Sequence, residues 1–157
     1  MTLLCEECEY PLKYDGSRGV YKCPRCNRVY DESTALDTYN YTIRDIEIKK
    51  IPKILRALES NKKPKMFKET THKRVVIPTL KTLGLLLHDK KLTKTGRCIA
   101  NIRSIRKLAK ALLELIEAVE TQLERLHYNE RSKRELELLK RQCIRYLRIH
   151  KTKAIMR

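Results

Sequence analysis

Two CxxC pairs, Cys5-Glu6-Glu7-Cys8 and Cys23-Pro24-Arg25-Cys26, stand fourteen residues apart near the start of the chain, and nothing else in it restricts folding as much. A CxxC puts two thiolates on one tight turn, and two such turns can close a sulfur tetrahedron around one divalent ion. The spacing predicts a single structural Zn2+ held by Cys5, Cys8, Cys23 and Cys26 within residues 1–36. Disulfides or four unrelated cysteines are the alternatives. The paired spacing and the lack of a secretory segment favour zinc. Between the pairs, Tyr10, Leu12 and Tyr14 alternate with other residues, Asp15-Gly16-Ser17 reads as a turn, and Val20 and Tyr21 lead back, as in two hairpin arms. A four-thiolate site has no open coordination position, so its expected contribution is folding free energy for a small segment and not water activation.

Charge points to the partner. The chain of 157 residues carries 36 Lys and Arg against 19 Asp and Glu, a formal +17. Residues 1–48 hold 6 basic and 9 acidic side chains, residues 49–110 hold 19 and 3, and residues 111–157 hold 11 and 7. A +16 middle segment repels itself unless it meets a polyanion, and neutralised phosphates with released counterions are the usual resolution. A surface tuned only for solubility mixes both signs. With 41% apolar residues the chain can build a core, so disorder is not the default. No apolar run approaches the roughly 20 residues that span a bilayer, so no membrane association is expected, and the location expected is cytoplasmic, on the nucleoid.

The middle segment has a recognisable order. Ile43, Ile46, Ile51, Ile54, Leu55 and Leu58 suggest helix, with a fresh start near Ile51 because Pro52 follows. Residues 62–71 read as a basic loop or short helix, and Val75 to Leu83 as a helix closed by Gly84 in a left-handed cap. Leu85-Leu86-Leu87, a turn over His88 to Lys91, and Leu92-Thr93 form a two-stranded ribbon before Thr95-Gly96 opens the next helix. Thr79-Leu80-Lys81-Thr82-Leu83-Gly84-Leu85-Leu86 followed by Leu92-Thr93-Lys94-Thr95-Gly96-Arg97 resembles the winged helix-turn-helix family of prokaryotic type, here behind a zinc ribbon. Two features depart from the pattern: Pro78 interrupts the helix before the Leu-Gly, and the second helix is weakly marked. The resemblance implies a recognition helix before the Leu-Gly and a wing after it. Its implied nucleic-acid contacts are Lys73, Arg74, Thr79, Lys81 and Thr82 on the helix, Lys90, Lys91 and Lys94 on the wing, with Lys62, Lys63, Lys65 and Arg97 in the flanking basic stretches.

From Ile102 to Leu126, apolar residues recur at threes and fours, and after His127-Tyr128-Asn129 a capping box at Ser132 to Glu135 opens a second helix bearing Leu136, Leu139, Cys143, Tyr146 and Leu147. An antiparallel hairpin with an apolar stripe is predicted, to be covered by the winged helix, by a second copy or by a partner protein. The resemblance favours a homodimer. Cys98 and Cys143 are expected in the core. The fold class is therefore mostly α with small β elements: zinc ribbon (1–36), winged helix-turn-helix (37–101) and helical hairpin with a basic tail (102–157). No Ser/His/Asp set, phosphate-cradling glycine loop or carboxylate pair on a plausible cleft suggests an enzyme. The expected function is binding of nucleic acid, duplex DNA before RNA, in transcription or replication. A structural subunit of a ribosomal or replisome assembly is the alternative.

Overall fold

The computed structural model describes residues 2–31, 41–60 and 71–155, with backbone alone at 72–73 and 149–155. Three short strands, β1 (Lys13–Asp15), β2 (Val20–Lys22) and β3 (Val29–Asp31), form an antiparallel sheet in sequential order. Asp15 builds the β1–β2 turn, its carboxylate accepting from the Ser17 amide at 3.0 Å and the Ser17 hydroxyl at 2.6 Å. Gly19, at φ 64°, completes that turn. The third strand was not anticipated, although Val29 and Tyr30 directly after the second CxxC are residues that favour pleated backbone.

Helical structure fills the rest. A single 3-10 turn (Ile48–Lys50) leads into α1 (Ile51–Glu59), with Pro52 in the first turn where its missing N–H is harmless. A π-helical turn (His72–Val76) runs into the short α2 (Ile77–Thr82), then come α3 (Lys94–Ala100), α4 (Ile105–Arg125) and α5 (Glu130–Ile155). Helix α5 begins two residues before the predicted capping box: Asn129 caps it by accepting from the Ser132 amide at 2.8 Å, and Ser132 is buried. Glu135 instead accepts from the Asp45 amide at 2.8 Å, tying α5 to the stretch before α1.

The segment from α2 to α3 explains why its residues take the types they do. Gly84, at φ 78°, donates to the Lys81 carbonyl while Leu85 donates to that of Leu80, a Schellman cap with Leu80 and Leu85 both fully buried. A single bridge, Leu86 to Leu92, closes the hairpin that follows, so the predicted wing strands are shorter than expected. Thr93 then caps α3 by accepting from the Gly96 amide at 2.9 Å, and its hydroxyl donates to the Gly84 carbonyl at 2.8 Å. A Cβ on Gly96 would lie 2.1 Å from the Leu85 carbonyl oxygen. The Leu-Gly-Leu and Leu-Thr-x-x-Gly motifs thus form one backbone knot.

One continuous core joins all three sequence segments. Tyr10, Leu12, Tyr21 and the buried cysteines of the sheet region pack with Ile54, Leu80 and Leu85 of the middle and Leu112, Leu115, Val119 and Leu139 of the last two helices. Gln122 of α4, fully buried, donates to the Leu3 and Leu12 carbonyls and accepts from the Leu3 amide. Thr121 accepts from the Tyr14 amide at 2.9 Å, and the Arg125 guanidinium lies over the Tyr14 and Tyr21 rings at 4.6 and 5.3 Å. The ribbon is docked on α4, and among the described residues the apolar stripes of α4 and α5 are covered inside the chain as far as Cys143, with Tyr146 and Leu147 half-buried. Cys143 is in the core as expected. Cys98 is not: it sits on the outer face of α3, exposed.

Candidate metal centre and basic surface

The two CxxC turns are built alike. Cys5 and Cys23 each donate their amide to the carbonyl five residues on, Tyr10 and Arg28, both at 2.9 Å. Their carbonyls accept from the amides four residues on, Glu9 and Asn27, also at 2.9 Å. Glu9 and Asn27 take positive φ, 49° and 63°, which turns the chain back after the second cysteine of each pair. The two turns face each other and bring the sulfurs of Cys5, Cys8, Cys23 and Cys26 within 4.8 Å of one another. The Cys5 and Cys26 sulfurs are 3.7 Å apart. A zinc tetrahedron with Zn–S near 2.3 Å has sulfur–sulfur edges of about 3.8 Å, whereas a disulfide needs about 2.05 Å. All six cysteines are free thiols. The geometry therefore fits one metal ion held by the four predicted ligands.

Groups around the sulfurs support that charge. The Tyr30 hydroxyl on β3 donates to the Cys5 sulfur at 3.4 Å and accepts from the Glu6 amide at 3.0 Å, and the Arg25 amide donates to the Cys23 sulfur at 3.4 Å. At Cys5 desolvation works to raise the pKa, yet Tyr30 and the backbone amides of Cys8 and Glu7 outweigh it and bring the thiol down to about 6. Desolvation, with the Cys26 and Cys23 sulfurs adding to it, pushes Cys8 up to about 12. Crowded thiols cannot all ionise by themselves, and a divalent cation at their centre removes that conflict. Arg28 and Glu7 pair across the two turns at 3.4 Å, but both are well exposed and the pair adds little.

Helix α3 holds the first turn from outside. The Lys94 ammonium donates to the Glu7 carbonyl at 2.7 Å, the Lys94 amide to the Glu9 carboxylate at 2.8 Å, and the Thr95 hydroxyl to the Glu9 carbonyl at 2.8 Å. A Cβ on Gly84 would come within 2.7 Å of Pro11 and 3.0 Å of Leu4, so the α2 cap also lies directly on the ribbon. Sequence reading missed these ties because they join residues about 85 positions apart.

The predicted nucleic-acid residues separate into groups. Thr79 and Thr82 are buried, at 0% and 3% exposure, which corrects their assignment to a contact surface. Thr82 accepts from the Thr42 amide and donates to the Pro78 carbonyl, both at 3.0 Å, while its own carbonyl accepts from the Thr2 hydroxyl. Lys81 is half-buried, and Arg74, Lys90, Lys91, Lys94 and Arg97 are exposed. Lys94 is nevertheless engaged with the ribbon. Lys62, Lys63 and Lys65 lie outside the described residues, and for Lys73 only the backbone is described. Exposed cations that the sequence reading passed over are Arg103, Arg106, Lys107 and Lys110. The signal was present: residues 90–113 hold eight basic side chains and no acid.

No helix among the described residues is long and apolar enough to cross a membrane. The chain matches no protein-family model, and neither a curated protein nor a solved structure is similar to it at a significant level.

Proposed function

We propose that the chain is a zinc-stabilised nucleic-acid-binding protein that grips duplex DNA mainly through its phosphates, as a transcription or replication factor does. The observation that carries this reading is the acid-free run 90–113, whose eight cations are all exposed on a folded unit. The order α1, α2, hairpin, α3 is compatible with a winged helix. In that arrangement α2 would be the recognition element, but only Pro78 and Lys81 of α2 are even half-exposed, with Arg74 exposed just before it. Few side chains are then free to read base edges, which favours backbone contact and weak sequence preference.

One observation favours the second reading, a subunit of a larger nucleoprotein assembly. The apolar faces of α4 and α5 are covered within the chain, and among the described residues Val29 and Leu138 are the exposed large hydrophobic side chains. Among the described residues no exposed apolar stripe is left to drive a homodimer.

A mass by light scattering with titrations of duplex DNA and structured RNA separates the two. A factor acting on DNA binds the duplex with strong salt dependence, and Lys90→Gln with Lys91→Gln lowers the slope of log K against log salt by up to about 1.8. A monomer that prefers RNA sinks the first reading and supports the second.

A further inference from the structure

The two last helices are electrically polar along their length. Residues 103–110 and 138–155 carry ten basic side chains and no acid, whereas residues 111–137 carry four basic and seven acidic ones. These stretches meet in space because the helices are antiparallel. The Lys140 ammonium lies 3.1 Å from the Glu120 carboxylate and sets the register. Ten residues back along α4 from Glu120 and ten forward along α5 from Lys140 brings 110 beside 150, so the last two turns of α5 flank the first two of α4. The end of the hairpin away from its connecting turn is thus basic on both helices, and the end at the turn is acidic.

The helix dipole favours the α5 half of this arrangement, with Glu130 in its first turn and cations toward its end, but not the start of α4. Arg106 and Lys107 occupy the first turn of α4, which has no acidic residue, while its last turn holds both Glu124 and Arg125. Cations at a helix start and anions at its end both oppose the helix dipole. Among the described residues none of Arg103, Arg106, Lys107 and Lys110 forms an ion pair, and all four are exposed. The Arg56 guanidinium donates to the Ala100 carbonyl at 2.7 Å and so fixes the α3–α4 junction from which Arg103 projects.

We propose that this basic end, carried by the exposed Arg103, Arg106, Lys107 and Lys110 at the start of α4, is a second surface that grips the nucleic-acid backbone, apart from the Lys90–Lys91 hairpin. The proposal rests on the nucleic-acid reading above. Two of the four are arginines, whose planar fork pairs with phosphate in two bonds. A membrane-binding face would present large apolar side chains beside its cations, and a protein-binding face would have an apolar centre. Among the described residues neither is seen: the exposed large hydrophobics are Val29, in the ribbon, and Leu138, at the start of the acid-free stretch of α5.

The test compares three proteins on one duplex DNA and one structured RNA across a range of salt: the wild type, R106Q/K107Q/K110Q, and R131Q/K133Q/R134Q, which makes the same charge change near the turn. The first variant is expected to bind more weakly and to lower the duplex salt slope by about 0.9 per lost contact, up to about 2.7. The turn-end variant is expected to keep the wild-type slope. Thermal melts of R106Q/K107Q/K110Q should match or exceed the wild type, since its cations oppose the dipole, so weaker binding cannot be put down to unfolding. Equal slopes for wild type and R106Q/K107Q/K110Q overturn this surface and leave nucleic-acid binding standing. A wild type that binds neither nucleic acid, or only anionic vesicles, overturns both.

Discussion

Gly96 shows how a single position can invert an ordinary expectation. Alanine in place of glycine inside a helix usually stabilises by about 0.5–1 kcal/mol, because glycine gives up more chain freedom on folding. At Gly96 the new Cβ would stand 2.1 Å from the Leu85 carbonyl oxygen, backbone that also accepts from the Thr93 amide at 3.1 Å and cannot retreat without opening the knot. Gly96→Ala is therefore expected to destabilise by about 2–3 kcal/mol, the size of an overpacked core. Gly16, in the β1–β2 turn, has negative φ and only Tyr14 near it at 3.8 Å, so Gly16→Ala is expected to be close to neutral. Urea unfolding of both variants decides the matter: equal effects would mean that the Leu85 carbonyl does not constrain the site. At this scale the four ligands were legible, because two CxxC pairs announce their chemistry locally. Tyr30 was not, since its role depends on β3 returning to the Cys5 turn, and neither was the burial of Thr79 and Thr82, which look like ordinary polar helix residues until the core closes over Thr79 and Thr2 and Thr42 bond to Thr82.

Among the elements, α3 bears on the metal centre without supplying a ligand. Its first residues grip the Cys5–Cys8 turn through Glu7 and Glu9, and Thr95 is 7% exposed, so the bond from its hydroxyl to the Glu9 carbonyl is sheltered from water. Thr95→Val keeps the shape and removes the donor, leaving the carbonyl unsatisfied at a cost of about 1–2 kcal/mol. It should also loosen the first turn and speed zinc loss to a chelator. Chelator-driven loss at the wild-type rate would show that the turn holds itself and that α3 merely rests on it. Helix positions were largely legible from periodicity and caps: Pro52, Gly84 and the break at His127 to Asn129 all fall where elements begin or end. The start of α5 was misplaced because Asn129 competes with Ser132 for the cap, and the choice is made by tertiary contacts, Glu135 being drawn away to the Asp45 amide.

The whole molecule joins what the sequence suggests are three parts. Composition shifts and motif boundaries separate ribbon, middle and hairpin, but they carry no information about which apolar faces meet. The structure closes one core across them, with Gln122 bonded to the ribbon backbone and Gly84 packed on Pro11 and Leu4. Zinc binding free energy is folding free energy where the ligands are not preassembled in the unfolded chain. Shared packing then spreads that contribution beyond residues 1–31, to α3 and α4. Calorimetry of the metal-loaded protein is expected to give one transition, and chelation to move that transition to lower temperature as a unit. Cys23→Ser removes one of four sulfurs and should lower zinc content well below one per chain while shifting the same single transition. Two separated transitions, with only the smaller one sensitive to zinc, would mean that the ribbon folds apart from the helices. In that case the contacts from Gln122, Lys94 and Gly84 would be docking between independent units, and metal loss would leave the basic surface of α3 and α4 intact.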